Sequence, residues 1–157
     1  MRVAILTVSD RSARGQRPDL SGPALVEAAE KCGWTVVSLQ VVADERRLIE
    51  TGLRRLVAGG DVDVVLTTGG TGISPRDVTI EALQPHFTKE LFGFGSLFAR
   101  LSYDEVKAAA IISRATAGVV GRAIVFCLPG SLKACQLACN ALIFPELGHL
   151  VGHAFRE

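Results

Sequence analysis

Short, continuously apolar runs alternate along the chain with segments whose apolar residues recur at helical spacing. The runs lack the every-second-residue alternation of half-exposed strands, which indicates strands covered on both faces. Between residues 45 and 57, by contrast, Leu48, Ile49, Leu53 and Leu56 form one helical stripe. Predicted strands span residues 2–8, 34–42, 62–67, 111–120 and 122–128, and predicted helices span 23–32, 45–57, 77–84, 91–101, 103–110, 132–143 and 145–153.

This order of elements predicts an α/β fold, namely a three-layer α/β/α sandwich with a mostly parallel sheet. The strands at 111–120 and 122–128 join around Gly121 and are expected to form a hairpin at the edge of the sheet. Residues 9–21 are polar and are predicted to be a loop, and long loops at strand ends often carry function. We expect a binding crevice beyond the carboxyl ends of the strands.

Composition excludes several classes of function. The 157 residues are 48% hydrophobic and 21% charged with a net charge of +1, which favours a single domain over residues 1–157. Positive and negative charges are interspersed, so no nucleic-acid-binding face is expected. The apolar runs fall short of the ~20 residues of a membrane span. The first strand also meets Asp10 and Arg11 directly, and we therefore expect a cytoplasmic protein without a membrane partner.

The four cysteines form no Cys-x-x-Cys pair. Cys135 and Cys139 are spaced to share one helix face, which suits either buried reduced thiols or part of a metal site, and the apolar surroundings favour thiols. His149 and His153 are also four residues apart but lack the further ligands of a zinc site.

A glycine-rich turn follows the strand at 62–67. Thr67-Thr68-Gly69-Gly70-Thr71-Gly72 leads into Pro75-Arg76-Asp77 at the start of a predicted helix. Backbone N–H groups converge where glycine removes the Cβ atom, and a helix N-terminus adds positive potential. The turn therefore predicts a pocket for a phosphorylated ligand, although it matches neither the P-loop nor the dinucleotide-binding pattern.

Other polar segments follow strands and are expected to reach the same crevice. They are Ser9-Asp10-Arg11, Ala43-Asp44-Glu45 and Pro129-Gly130-Ser131, with Gly93-Phe94-Gly95 and Ser113-Arg114 as further candidates. Asp44 and Asp77 suit Mg²⁺, which takes one or two carboxylates plus substrate phosphates. Acids at these positions also serve as helix caps, and the sequence leaves both interpretations open.

The remaining chemistry is centred on phosphate. A Gly-x-Ser-x-Gly elbow is absent, and Cys127 lies inside an apolar strand, so neither a serine nor a cysteine nucleophile is expected. Arg11, Arg14, Arg76 and Arg114 could bind anionic groups, because guanidinium forks match phosphate oxygens. The pattern predicts phosphoryl or nucleotidyl transfer with Mg²⁺.

The motifs resemble the molybdenum cofactor biosynthesis family, whose members have molybdopterin-binding domains. The resemblance spans nearly the whole chain and rests on motifs in the family's order: residues 5–11, 67–72, 75–79, 93–95, 101–103, 113–115 and 128–131. It implies transfer of AMP from ATP to the terminal phosphate of molybdopterin, with release of pyrophosphate. The alternative within the family is a B-type protein that binds molybdopterin without adenylating it. The segments at 93–98 and 101–105 look B-like, whereas the acid at Asp44, which some non-catalytic members lack, favours the enzyme.

Two interpretations outside this pathway are weaker. A competence-damage-inducible-type domain acting on nucleotides has a similar glycine motif, but the run from Pro75 to Thr79 fits it less well. A purely structural oligomerising module would not need two acids beside a phosphate loop.

The resemblance also implies roles for individual residues. Asp44 and Asp77 would be the catalytic pair that places Mg²⁺ and ATP. The predicted ligand-binding residues are Ser9, Asp10, Thr68, Gly69, Gly70, Thr71, Gly72, Arg76, Gly93, Gly95, Ser113, Arg114, Pro129, Gly130 and Ser131. A homotrimer or hexamer and a downstream molybdenum insertase are implied as partners. Two positions depart from the family's pattern: Ser96 replaces a frequent glutamate, and Leu132 replaces a frequent proline.

Overall fold

The computed structural model describes residues 1–155 and contains one six-stranded sheet within them. The strands are β1 (Arg2–Val8), β2 (Thr35–Val42), β3 (Val64–Thr68), β4 (Lys89–Glu90), β5 (Thr116–Val120) and β6 (Ala123–Leu128). The α-helices are α1 (Asp10–Ala13), α2 (Ser21–Lys31), α3 (Arg46–Val57), α4 (Thr79–Leu83), α5 (Phe92–Val106), α6 (Leu132–Ala138) and α7 (Phe144–Phe155). Short 3₁₀ segments cover Gln84–His86 and Lys107–Ile112, and a π-helical turn covers Cys139–Ile143.

The sheet is mostly parallel, as predicted. Its strand order is β2-β1-β3-β6-β5-β4, in which β2, β1, β3 and β6 run parallel while β5 and β4 are antiparallel to their neighbours. Thr68 of β3 pairs with Thr7 of β1 on one side and with Leu128 of β6 on the other. The carboxyl ends of these three strands are therefore level, and the segments that follow them begin side by side.

Successive side chains of each central strand enter opposite cores, which confirms the predicted three layers. In β1, Val3 and Ile5 join a core with α2, α5, α6 and α7, whereas Ala4 and Leu6 join a core with α3 and α4. Phe98 of α5 is fully buried in the first core, and burying such a side chain contributes roughly 1.5–3 kcal/mol.

The region after α4 differs from its prediction. One helix, α5, runs through Gly93 and Gly95, because glycines in its first turn cost little while Phe94 and Phe98 pack into the core. The strand predicted from residue 111 starts only at Thr116, and Ile111 in the preceding 3₁₀ segment is 90% exposed.

Two further predictions are corrected by the topology. Strands β5 and β6 do form a hairpin around Gly121, but β4 pairs outside β5 and β6 pairs with β3, so the hairpin is not the sheet edge. The loop predicted at residues 9–21 contains α1, whose N-terminus is capped because the Ser9 hydroxyl accepts from Ser12 N–H. No helix within residues 1–155 combines the length and apolar composition needed to cross a membrane.

Candidate functional site

Two adjoining cavities lie beyond the carboxyl ends of β1, β3 and β6. The larger has a volume of about 430 Å³ and lies between the glycine-rich turn, the 3₁₀ segment Lys107–Ile112 and α6. The smaller, of about 220 Å³, lies between the end of β1 and the start of α2. Gly70 and Gly130 line both cavities. Ligands bound in the two cavities would therefore meet at these two glycines.

The glycine-rich turn has a backbone that only glycine adopts readily. Gly69 has φ +99° and Gly70 has φ +63°. A Cβ atom on Gly69 would collide with the carbonyl oxygen of Val8, so the turn packs directly on the end of β1. Thr79 holds the turn from the other side: its hydroxyl donates to Gly69 O (2.8 Å) and its N–H donates to Gly70 O (2.9 Å).

A second turn, Pro129–Ser131, is fixed against the first. Gly69 N–H donates to Leu128 O (3.0 Å), and the Thr68 hydroxyl donates to Pro129 O (2.9 Å). A Cβ atom on Gly130 would lie 3.2 Å from Gly69 Cα, closer than most real side-chain contacts. The two turns therefore form one rigid wall shared by both cavities.

Asp44 is held by a reciprocal pair of hydrogen bonds with Asp10. Asp10 N–H donates to Asp44 Oδ2 (2.7 Å), and Asp44 N–H donates to Asp10 Oδ1 (3.1 Å). Arg76 donates to Asp10 Oδ2 through Nε (3.1 Å) and Nη2 (2.7 Å). Asp44 Oδ1 faces the glycine turn, 3.0 Å from where a Cβ atom on Gly70 would lie. Asp44 thus presents one carboxylate oxygen toward the junction of the cavities.

The two acids of this pair have opposite pKa shifts. The hydrogen bond from Arg76 lowers the pKa of Asp10, against a smaller effect of burial. Burial raises the pKa of Asp44, and the negative charges of Asp10 and Asp77 raise it further, while the Asp10 N–H opposes the shift. The charge of Asp44 is therefore the less compensated of the two and would be stabilised by an added cation.

Asp77 lies on the opposite flank of the glycine turn. Its Oδ2 accepts from Ser74 N–H (2.8 Å), and its own N–H donates to Ser74 O (2.9 Å). A Cβ atom on Gly72 would lie 2.7 Å from Asp77 Oδ2, so the carboxylate is packed against the turn. Asp77 lines the larger cavity.

Neither Asp44 nor Asp77 is the N-cap residue of the helix that follows it, so the interpretation of the two acids as helix caps is wrong. Helix α3 has Glu45 at its N-cap and α4 has Val78, and neither cap makes a side-chain hydrogen bond. Asp44 and Asp77 each precede these positions and bond elsewhere.

Arg114 braces the turn from the far side of the larger cavity. Its Nη1 donates to Gly72 O (3.0 Å), and its Nη2 forms an ion pair with Glu81. The planar guanidinium makes both contacts at once, which a lysine ammonium could not do in the same geometry. Arg114 therefore adds positive charge beside the backbone amides of the turn.

The donor set fits a magnesium ion only when a ligand supplies oxygens as well. Within residues 1–155, no group of three or more His, Cys, Asp or Glu side chains is placed to hold a metal ion. Asp44 and Asp77 offer two carboxylates at adjoining cavities, while Asp10 is occupied by Arg76. This matches the preference of Mg²⁺ for one or two carboxylates plus phosphate oxygens.

Most predicted site residues line the two cavities, but not all do. The larger cavity has Gly70, Thr71, Gly72, Asp77, Ser113, Arg114, Pro129, Gly130 and Ser131. The smaller cavity has Ser9, Asp44, Thr68, Gly69, Gly70 and Gly130. Asp10 and Arg76 line neither cavity and act on Asp44 from beside it.

Gly93 and Gly95 are not brought to the site. They lie in the first turn of α5, where Gly95 packs against the carbonyl of Ala115, so we correct the expectation that they join the crevice. Ser96 is exposed and also lines neither cavity, whereas Leu132 lines a third cavity described below.

Four charged residues that line the cavities were not anticipated from the sequence: Arg17, Asp19, Glu105 and Lys133. Asp19 lines the smaller cavity, where it accepts from the Thr7 hydroxyl (2.7 Å) and from Gly22 N–H (3.0 Å). Lys133 and Glu105 line the larger cavity and form an ion pair (3.0 Å). An acid three residues before a residue in the first turn of a helix is typical of a helix cap, and this spacing from Asp19 to Gly22 could have identified Asp19 from the sequence.

Comparison with known proteins places the chain in one family. A family model described as a probable molybdopterin binding domain matches residues 4–149. Molybdenum cofactor biosynthesis protein B of Bacillus anthracis is 44% identical over 158 residues, which cover 100% of this chain and 92% of the relative. A molybdopterin adenylyltransferase of Pyrococcus furiosus is 41% identical over 157 residues, covering 98% and 90%.

A solved structure gives the same result. A crystal structure of molybdenum cofactor biosynthesis protein B has a TM-score of 0.93 to this chain at 44% identity, covering 100% of this chain and 97% of the other. The shared fold and the family match over residues 4–149 show that this chain belongs to the molybdopterin-binding domain family of molybdenum cofactor biosynthesis.

Proposed function

We propose that the protein is a cytoplasmic molybdopterin adenylyltransferase, which transfers AMP from ATP to the terminal phosphate of molybdopterin and releases pyrophosphate. The observation that carries this proposal is the pair of cavities that share Gly70 and Gly130, with Asp44 in one and Asp77 in the other. Transfer between two phosphorylated ligands requires their reacting atoms to be held side by side. The name of the Pyrococcus furiosus relative supports the same reaction.

The larger cavity is assigned to molybdopterin. Val106, Ile112 and Leu137 offer apolar surface for a flat ring system, while Arg114 and the turn amides offer contacts for its phosphate. The smaller cavity is assigned to the phosphates of ATP. When bound, Mg²⁺ held by Asp44, Asp77 and phosphate oxygens would neutralise the charge that develops on the transferred phosphate.

The chain's own residues orient the two ligands. The N–H groups of Gly70–Gly72 bind phosphate oxygens, while Gly69 N–H donates to Leu128 O and, with the contact between this turn and Gly130, fixes the distance between the cavities. Asp10 and Arg76 hold the Asp44 carboxylate in place from outside the cavities.

A second candidate function is molybdopterin binding without adenylation. The observation that favours it is the name of the relatives at 44% identity, which are called molybdenum cofactor biosynthesis protein B. Ser96 and Leu132, which depart from the family's pattern, line neither of the two cavities. Under either function we propose that the protein assembles as a homotrimer or hexamer and passes its product or ligand to a molybdenum insertase.

One assay separates the two functions. Purified protein is mixed with molybdopterin, ATP and Mg²⁺, and adenylated molybdopterin and pyrophosphate are followed together. Equal amounts of both products, dependent on Mg²⁺, support the adenylyltransferase. Tight molybdopterin binding without either product supports the binding protein instead.

The matched variants are Asp77→Asn and Asp104→Asn. The amide of Asp77→Asn can still accept from Ser74 N–H, so molybdopterin affinity should stay near that of the wild type while turnover falls by roughly 10²–10³-fold. Asp104 is an exposed acid on α5 outside both cavities, so its variant should keep full turnover. Unchanged turnover in Asp77→Asn would remove Asp77 from the reaction.

A further inference from the structure

A third cavity of about 320 Å³ lies between α2 and α6. Leu132, Cys135 and Gln136 of α6 line it, whereas other residues of the same helix, Lys133, Ala134 and Leu137, line the larger cavity. Three of the four cysteines line the third cavity: Cys32, Cys135 and Cys139. The mechanism proposed above uses none of them. Because no metal-holding cluster occurs within residues 1–155, the gathering of thiols points to thiol chemistry rather than to a metal.

The three thiols differ in access to solvent. Cys32 is exposed at the end of α2, whereas Cys135 and Cys139 are each only 1% exposed. Burial raises the pKa of both buried thiols, which keeps them protonated and poorly nucleophilic. Cys32 is thus the thiol at which a dissolved reagent can attack, and the other two form the cavity wall.

Cys135 connects this cavity with the candidate active site. Its Sγ donates to Pro129 O (3.0 Å) and lies 3.1 Å from Thr68 Oγ1, which itself donates to Pro129 O (2.9 Å). This triangle of thiol, hydroxyl and carbonyl holds the turn that contains Gly130. A group that displaces Cys135 would therefore loosen the wall shared by the other two cavities.

The lining of the third cavity matches a small peptide-like molecule. Lys31 and Glu27 form an ion pair with each other (2.5 Å), so a charged ligand would exchange this pair for contacts of its own, while Gln136 and Asn140 offer amide donors and acceptors. Leu25 and Phe144 add apolar surface. Carboxylate, ammonium and amide groups of a short peptide would find partners here.

We propose that this cavity is a modification site, in which Cys32 forms a mixed disulfide with a small peptide thiol and the attached group acts on the Pro129–Ser131 turn through Cys135. The Cys32 thiol loses its proton to solvent, and the thiolate attacks one sulfur of the peptide disulfide. A new S–S bond forms to Cys32, the old S–S bond breaks, and the second peptide leaves as a thiolate. The buried thiols stay reduced and serve as the surface that the attached group contacts.

The first experiment tests the site itself with oxidised glutathione as the probe. Intact-mass spectrometry of the wild-type protein should show one glutathionyl group per chain, located at Cys32 by peptide mapping. The Cys32→Ser variant should remain unmodified. An unmodified wild type, or an adduct that persists in Cys32→Ser, overturns the site.

The second experiment tests the coupling and does not depend on catalysis. Amide hydrogen exchange at residues 69–72 and 129–131 should speed up about tenfold in the modified wild type, within the usual range for coupled sites. Molybdopterin affinity should fall by a similar factor. The same treatment of Cys32→Ser should change neither measurement. Modification at Cys32 with unchanged exchange at both turns overturns the coupling, whether or not the protein proves to be an adenylyltransferase.

Discussion

Replacing Gly70 by alanine gives the sharpest test of the site geometry, because Gly60 provides a matched control. Gly70 has φ +63° and Gly60 has φ +67°, so both alanine variants bear nearly the same backbone strain, about 1–2 kcal/mol. A Cβ atom on Gly60 meets nothing within 4 Å. A Cβ atom on Gly70 would lie well inside 3.0 Å of Thr79 Oγ1 and at 3.0 Å from Asp44 Oδ1.

The difference between the two variants follows from these contacts. Thr79 is fully buried, and moving its hydroxyl breaks the hydrogen bond to Gly69 O. Leaving a buried polar group unpaired costs about 1–3 kcal/mol. We therefore expect Gly70→Ala to lower the free energy of unfolding by about 1–3 kcal/mol more than Gly60→Ala does. The displaced Asp44 should also weaken binding of ATP and molybdopterin in the first variant alone.

Urea unfolding measures the stability difference. Trp34 is the only tryptophan and packs edge-on against Phe144, with ring centroids 5.1 Å apart, so its fluorescence reports on the folded core. Isothermal titration calorimetry measures the binding of each ligand. Equal unfolding free energies for Gly70→Ala and Gly60→Ala would show that the turn has room for a side chain, and the described packing would be wrong.

Three further predictions concern the charged groups Asp44, Asp10 and Arg114. Burial raises the pKa of Asp44, so ionisation of this carboxyl lowers the stability of the folded protein above the unfolded pKa of about 3.9. We therefore expect Asp44→Asn to have a higher urea midpoint than the wild type at pH 7, and the difference to disappear near pH 3. Arg76 lowers the pKa of Asp10, which gives stability above the unfolded pKa that is lost in acid, so Asp10→Asn should lower the midpoint at pH 7. A midpoint that falls in Asp44→Asn would contradict the first sign, and one that rises in Asp10→Asn would contradict the second. The ammonium group in Arg114→Lys cannot contact Gly72 O and the Glu81 carboxylate at the same time, so we expect molybdopterin affinity, measured by calorimetry, to fall about 10- to 100-fold. Arg100→Lys, at an exposed position with a 3.8 Å contact to Asp104, should leave affinity unchanged, and an equal loss in both would exclude a specific role for Arg114.

The sequence predicted the parts of the structure that depend on local patterns. Apolar runs located β1 and β3, and the glycines of the signature located a turn whose backbone has positive φ. The sequence pattern misplaced the elements that depend on contacts between residues far apart in the chain. Strand β4 has only two residues and exists because Glu90 pairs with Gly118 of β5. Helix α5 continues through two glycines because Phe94 packs on Phe126 in the core.

The candidate site was predictable as a set of segments but not as a set of contacts. Asp44 and Asp77 were identified because each follows a strand or its turn. The hydrogen bonds between Asp44 and Asp10 were not predicted, because they join residues 34 positions apart in the chain. Asp19 was missed for a similar reason, since its partner Thr7 belongs to β1 and lies 12 positions away.

The contact between Asp10 and Asp44 depends on an irregularity at the opposite end of the sheet. Strands β1 and β2 begin with Val3 opposite Val36, but Ala4 lies opposite Ser38, so Val37 is an extra residue in β2. From there the shifted register continues to Val8 opposite Val42. Without the extra residue, Val8 would lie opposite Val41.

In that unshifted register, Asp10 would be level with Ala43 rather than with Asp44. A shift by one residue also reverses the face to which each side chain points, so Asp44 would turn away from the cavity it lines. Ser9 N–H donates to Val42 O (2.9 Å) and continues the shifted register into the site. The placement of a candidate catalytic carboxylate is therefore fixed by a bulge at the start of the strands, where no residue touches either ligand cavity.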